Sequence, residues 1–218
     1  MTHIRGLQYD NTRNYYIFCL KGFEKMTRKE LTFVALFAAI MGALGMIPPI
    51  VLTFTPVPIT LQTVGVLLAG GILGARLGAL SQIVFLLLVA AGMPLLSGGR
   101  GGLSVFVGPS VGYLIGYPLA AFVVGYLFSH IQNLKLYKVL LVNLTAGIFV
   151  VYLIGMPMQA FMMDIPVLTA VKLGLVYLPG DALKAVIASI LVYKLRKHPF
   201  FVRALSKKPV KKMMTESI

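Results

Sequence analysis

Asp181 and Lys184 stand three residues apart in the last hydrophobic segment of a 218-residue chain that has only 6 acidic residues and is 58% hydrophobic. That spacing puts both side chains on one helical face, about 60° apart around the axis. A carboxylate accepts hydrogen bonds and an ammonium donates them, so the pair offers a ligand both kinds of contact. At the centre of a lone membrane helix each group costs roughly 2.5–3.5 kcal/mol to insert, so retaining both requires a compensating partner. That partner is a bound guest or, if the two merely neutralise each other at i,i+3, the pair itself. A second candidate is Arg100, the one charge in the segment Pro94 to Ser110. Its glycine-rich surroundings allow close backbone approach and N–H groups that could cradle an anion, or simply a flexible loop with a solvated arginine. Gln62, Gln82, Asn143 and Tyr152 are polar positions in apolar segments that could face the same interior or act as hydrogen-bond glue between helices. Tyr113, Tyr117 and Tyr126 are expected to be interface-belt or packing residues.

The elements that must position these groups are membrane helices. Charged residues make up 12% of the chain, against about 25% in an ordinary soluble domain, and the mean hydropathy is +0.89. The length allows one domain of several spans of about 20 residues each and leaves no room for a separate soluble catalytic domain. The apolar pattern predicts an all-α polytopic membrane protein with six spans: Leu31 to Ile47, Leu61 to Gly74, Leu77 to Met93, Val111 to Phe128, Val139 to Met156 and Leu178 to Leu195. The second is short, and Pro-Gly-Asp at the head of the sixth suggests a helix that starts inside the protein. An amphipathic stretch, Val167 to Tyr177, is expected to form a partial helix over the fifth connection. Residues 1–26 read as an extension, 27–197 as the membrane domain and 198–218 as a basic tail.

Charge placement sets the expected orientation. Six Lys/Arg precede Leu31, Arg76 follows the second span, Lys135 and Lys138 follow the fourth, and eight run from Lys194 onward, which is 17 of the 20 basic residues. With an even span count these fall on one side, so both termini are expected to be cytoplasmic. The net charge of +14 is then mostly topology. Nucleic-acid binding is not expected, because the basic tail lacks interleaved aromatic platforms and follows a span directly. The extension is polar and Tyr/Asn-rich, and Tyr15 to Leu20 is too short for a signal-peptide core; Met26-Thr-Arg-Lys-Glu would make a conventional start ahead of the first span. Asp181 lies 13 residues before Lys194, roughly 20 Å of helix, which sets the pair near the floor of an outward cavity.

Enzyme chemistry finds little support. There is no phosphate-binding glycine loop ending in Lys-Ser/Thr, no paired His/Glu metal motif and no Gly-x-Ser-x-Gly elbow. His3, His130 and His198 sit in the tail or at span ends, which supplies no metal ligand set. A membrane-embedded enzyme with Asp181 as base lacks a second catalytic group. The single Cys19 forms no internal disulfide. A stand-alone secondary transporter would need a coupling-ion site and often shows inverted repeats, of which none is visible.

Four ordered segments carry a resemblance: Pro56-Val-Pro-Ile-Thr-Leu-Gln-Thr, Leu96-Ser-Gly-Gly-Arg-Gly-Gly-Leu, Phe106-Val-Gly-Pro-Ser-Val-Gly-Tyr-Leu-Ile-Gly-Tyr-Pro and Leu178-Pro-Gly-Asp-Ala-Leu-Lys-Ala. From about Thr27 to Lys197 the chain resembles the BioY family, biotin-binding S components of energy-coupling-factor transporters. The resemblance implies a six-helix protein of the bacterial cytoplasmic membrane that captures biotin. Its partners would be a membrane-embedded coupling subunit and two cytoplasmic ATPases, which use the ATP; the chain itself would carry no cofactor. Matched to biotin's ureido ring and valerate tail, the polar residues read above rank as expected ligand contacts with Asp181 and Lys184 first, then Arg100, then Gln62, Asn143 and Tyr152. The small residues Ala35, Ala39 and Ala43 of the first span, with Ala38 and Gly42 alongside, make a smooth stripe against which a helix packs closely. The resemblance matches that stripe to the face that docks on the coupling subunit; internal packing would produce the same spacing.

Overall fold

The apolar segments fold as helices, and the computed structural model describes residues 26–51, 53, 57–131 and 134–198. In chain order they are α1 (Arg28–Gly45), α2 (Gln62–Leu73), α3 (Ala75–Ala90), α4 (Val111–Ser129), α5 (Leu136–Val142), α6 (Ile148–Met163), α7 (Val167–Leu175) and α8 (Leu178–Lys197). A short 3-10 turn, Leu103–Val107, lies between α3 and α4. One π-helical turn, Asn143–Gly147, joins α5 to α6, so the two form a single 28-residue helix. Among the described residues the β content is limited to two isolated bridges, Ile50 with Ile59 and Leu96 with Arg100. The extension and the basic tail expected from the sequence lie outside the described residues, apart from Met26 and His198 at their edges.

Local chemistry sets several helix ends. α1 opens on a capping box in which the Glu30 carboxylate accepts from the Thr27 backbone N–H at 2.8 Å and the Thr27 hydroxyl accepts from the Glu30 N–H at 3.3 Å. α2 and α3 are separated by Gly74 alone, at φ 82. α8 carries a proline in its first turn, where a missing N–H removes no helical bond, and ends in Lys194, Arg196 and Lys197, whose charges suit the negative helix end.

α2 is the axis of the bundle. All of its residues except Thr63 are buried, which is how a helix that is apolar all round is accommodated. It packs against α1, α3, α4 and α8. Its 12 residues make about 18 Å of helix, short of the roughly 30 Å hydrocarbon thickness. By length and apolarity, Val111–Ser129 and Leu136–Met163 suffice to cross a bilayer, and Val167–Leu175 with Leu178–Lys197 adds a third if that bent pair counts as one span.

One expected boundary is corrected. The fifth segment does not end at Met156: α6 runs through Pro157 to Met163 and stops at Asp164, whose left-handed backbone (φ 53) caps it. An interior proline removes one backbone bond and usually kinks a helix, but neighbouring helices in a bundle compensate it. The fifth connection, which those boundaries leave between Met156 and the partial helix at Val167, therefore shrinks to Asp164–Pro166. The expected partial helix is present as α7. It packs on α6, where Gly174 meets Met156, and bends 56° into α8.

Candidate ligand-binding site

Three helices begin at the same end of the bundle: α2 at Gln62, α4 at Val111 and α8 at Leu178. None has a side-chain cap on its first N–H groups. Beneath the segment 57–60 and the turn Leu96–Arg100, their first turns enclose a space of about 610 Å³ counted out to its mouth. Gln62, Thr63, Tyr113, Tyr117, Tyr177 and Asp181 line it, with Tyr152 from α6, Lys184 one turn deeper and Arg100 at the rim. Three uncapped helix N-termini converging on one cavity produce a field that favours a negative charge.

The Asp181–Lys184 pair forms the polar floor. Lys184 Nζ donates to Asp181 Oδ1 at 2.7 Å, and the two residues are each 7% exposed. Tyr152 donates its hydroxyl to the other carboxylate oxygen, Oδ2. A carboxylate accepts up to about four hydrogen bonds and an ammonium donates three, so after these contacts Asp181 retains acceptor capacity and Lys184 retains two donors. Asp181 lies in the first turn of α8, at the positive end of the helix dipole.

The walls are aromatic, and each phenol has a partner. Tyr113 donates to Gln159 Oε1 at 2.7 Å, Tyr177 donates to the Val57 carbonyl at 3.0 Å, and Tyr117 is hydrogen-bonded to the Thr60 side chain. Tyr113 and Tyr152 meet edge to face, ring centres 6.3 Å apart. Tyr113 and Tyr117 are buried packing residues, one of the two roles expected of them, and they also line the cavity, because they fall in the first two turns of α4 on its inward face. Tyr126 is exposed and stacks on Phe122, which suits a belt residue.

The remaining candidates separate. Arg100 stands at the rim, where Gly98 (φ 81) and Gly99 (φ 69) make the tight turn that sends its Nε back to the Ser97 carbonyl at 3.3 Å. Such dihedrals strain any residue with a Cβ. Gln62 lines the cavity, while its Nε2 is held by the Leu95 and Met41 carbonyls at 3.1 and 3.3 Å, tying α2 to α1 and the rim turn. Asn143 is not at the cavity. It is fully buried toward the other end of the bundle, where its Nδ2 donates to Ser189 Oγ at 2.9 Å, so here it joins helices. Gln82 is likewise buried, next to Ser81. Ala35, Ala39 and Ala43 form an exposed row on α1, while Ala38 and Gly42 face inward. Tyr177 and Gln159 were missed in the sequence. A tyrosine directly ahead of a Leu-Pro-Gly-Asp helix start was the available signal for the first; the second was hidden by the misplaced end of α6.

These features define a class: an all-helical membrane protein with a buried polar cavity at one end of its bundle. The model of the BioY family matches residues 20–199, and the chain belongs to that family. It is 47% identical over 166 residues to the probable biotin transporter BioY of Bacillus subtilis (strain 168), covering 76% of this chain and 89% of that protein. With the biotin transporter BioY of Rhizobium etli it shares 44% identity over 172 residues, covering 76% and 92% respectively. The fold is similar to the crystal structure of the S-component for biotin from an ECF-type ABC transporter, with a TM-score of 0.76, 36% identity, and coverage of 80% of this chain and 96% of that one. These relatives are transporters or transporter components, which points away from an enzyme.

Proposed function

We propose that this chain captures biotin and takes it up across the cell membrane as the substrate-specific subunit of an ATP-driven energy-coupling-factor transporter. The observation that carries the reading is the Asp181–Lys184–Tyr152 cluster at the floor of a tyrosine-walled cavity in a BioY family chain. Biotin is an anion with a polar ureido head and an apolar thiophane and alkyl body. The ureido N–H groups suit the Asp181 carboxylate, and the valerate suits Lys184 or Arg100 together with the field of the three helix ends. The aromatic walls cover the apolar body.

Transport energy comes from elsewhere in this reading, since the sequence has no nucleotide-binding motif. A membrane-embedded coupling subunit docks on the Ala35, Ala39, Ala43 row, and two cytoplasmic ATPases complete the assembly. Six membrane passes with cytoplasmic termini put the cavity mouth outside. The test is biotin uptake into proteoliposomes containing the full chain, with and without the coupling subunit and ATPases, alongside calorimetric titration of biotin. Tight binding with uptake only in the complete assembly is expected. Equal uptake by the chain alone would make it a secondary transporter, and no binding would overturn the reading.

Orientation has its own expected result. In a chain whose Cys19 is replaced by Ser, a cysteine at exposed Val107, on the cavity end, should react with an impermeant maleimide in intact cells. One at Lys197, at the opposite end, should react only after permeabilisation. Equal labelling of both in intact cells would refute the proposed sidedness.

A further inference from the structure

Gln159 lies behind the cavity wall, on α6, with no exposed surface. It is a polar side chain in an apolar helix, and its Oε1 accepts the Tyr113 hydroxyl at 2.7 Å across 46 residues of sequence. The Tyr113 ring is confined on its other sides. Gly155 lies directly beneath it, so that even a Cβ at that position would collide with the ring carbons, and Tyr152 meets it edge-on. Tyr152 in turn donates to Asp181, which holds Lys184. A continuous set of contacts therefore runs from Gln159 through two aromatic rings to the ion pair.

The phenols around Asp181 are sorted by their partners. Tyr117 is engaged with Thr60, Tyr177 with the Val57 carbonyl and Tyr113 with Gln159, which leaves Tyr152 as the phenol on the carboxylate. We infer that Gln159 is a positioning residue for the ligand cavity: by holding the Tyr113 hydroxyl it fixes the aromatic wall that seats Tyr152 on Asp181. Without Gln159 the Tyr113 hydroxyl loses its buried acceptor, which costs enough to unsettle the ring that carries it. The inference rests on the biotin reading and names a residue that touches no ligand.

The experiment uses the purified full chain in detergent, with biotin affinity by calorimetry and thermal unfolding measured in parallel. If the unaltered chain binds no biotin, the proposed function fails before Gln159 is tested. If it binds, Gln159→Leu should weaken biotin at least tenfold. Tyr113→Phe should reproduce the loss, and adding it to Gln159→Leu should weaken binding little further, because both changes break the same 2.7 Å contact. Gln159→Asn, one methylene too short to reach the phenol, should reproduce the loss in a more polar background and serves if Gln159→Leu does not fold. A role confined to stability would lower the unfolding temperature and leave the affinity of the folded protein unchanged. Unchanged affinity in either Gln159 variant, or losses from Gln159→Leu and Tyr113→Phe that simply add, overturns the inference.

Discussion

Asp181→Asn should lower biotin affinity ten- to hundredfold, about 1.4 to 2.8 kcal/mol. The substitution keeps the shape of the side chain and a carbonyl for the Tyr152 hydroxyl, so the cavity wall survives. It removes the charge that neutralises Lys184, a residue only 7% exposed, and it halves the acceptor capacity offered to the ureido N–H groups. Lys184→Met should weaken binding as well, by leaving the carboxylate with Tyr152 alone and removing a counter-ion for the ligand's own carboxylate. Combined, the two losses should fall clearly short of their sum, because each single variant already breaks the same 2.7 Å contact. Calorimetry on folded, monodisperse variants is the measurement. Unchanged affinity in both would assign the pair to structure.

Ala39→Trp should abolish most ATP-driven uptake while leaving biotin affinity within about threefold. Ala39 is exposed on α1 between Ala35 and Ala43. The residues of α1 that pack inward are others, Val34, Phe37, Ala38 and Met41 among them. A large side chain at Ala39 therefore meets little inside the chain. Against a partner helix it holds the backbones apart, and in lipid there is little hydrophobic drive to offset the lost contact. Co-purification of the coupling subunit should fall together with uptake. A parallel fall in biotin affinity would mean that the row packs internally.

The ion pair was legible because two charges at i,i+3 in an apolar segment are costly enough to require a reason, and the proline ahead of them marks a helix start on chemical grounds. The short second segment was legible as an anomaly; its explanation, burial on nearly every side, depends on four neighbouring helices that periodicity does not reveal. The aromatic wall was not legible. A tyrosine in an apolar run has the same composition whether it faces lipid, a neighbour or a cavity, and only the convergence of α2, α4 and α8 at one end distinguishes Tyr113 and Tyr117 from Tyr126. Proline was overweighted at position 157, since a helix held by neighbours tolerates what an isolated one does not, and with that boundary went the chance of seeing Gln159.

Asn143 and Tyr152 are nine residues apart, and in an unbroken α-helix, at about 100° per residue, they would point to opposite faces. Yet both reach α8, Asn143 at Ser189 and Tyr152 at Asp181. The π-turn between them takes up one extra residue, roughly 100° of phase. That leaves about 80° between the two, which matches the eight residues from Asp181 to Ser189 on the facing helix. The turn thus works as a vernier between the two halves of one rod, letting the lower half be registered for packing and the upper half for ligand chemistry. Losing a single residue between 144 and 147 would leave eight residues of regular α-helix and the same phase of about 80°, whereas straightening the turn with every residue kept would swing Tyr152, with the wall it supports, about 100° off the carboxylate.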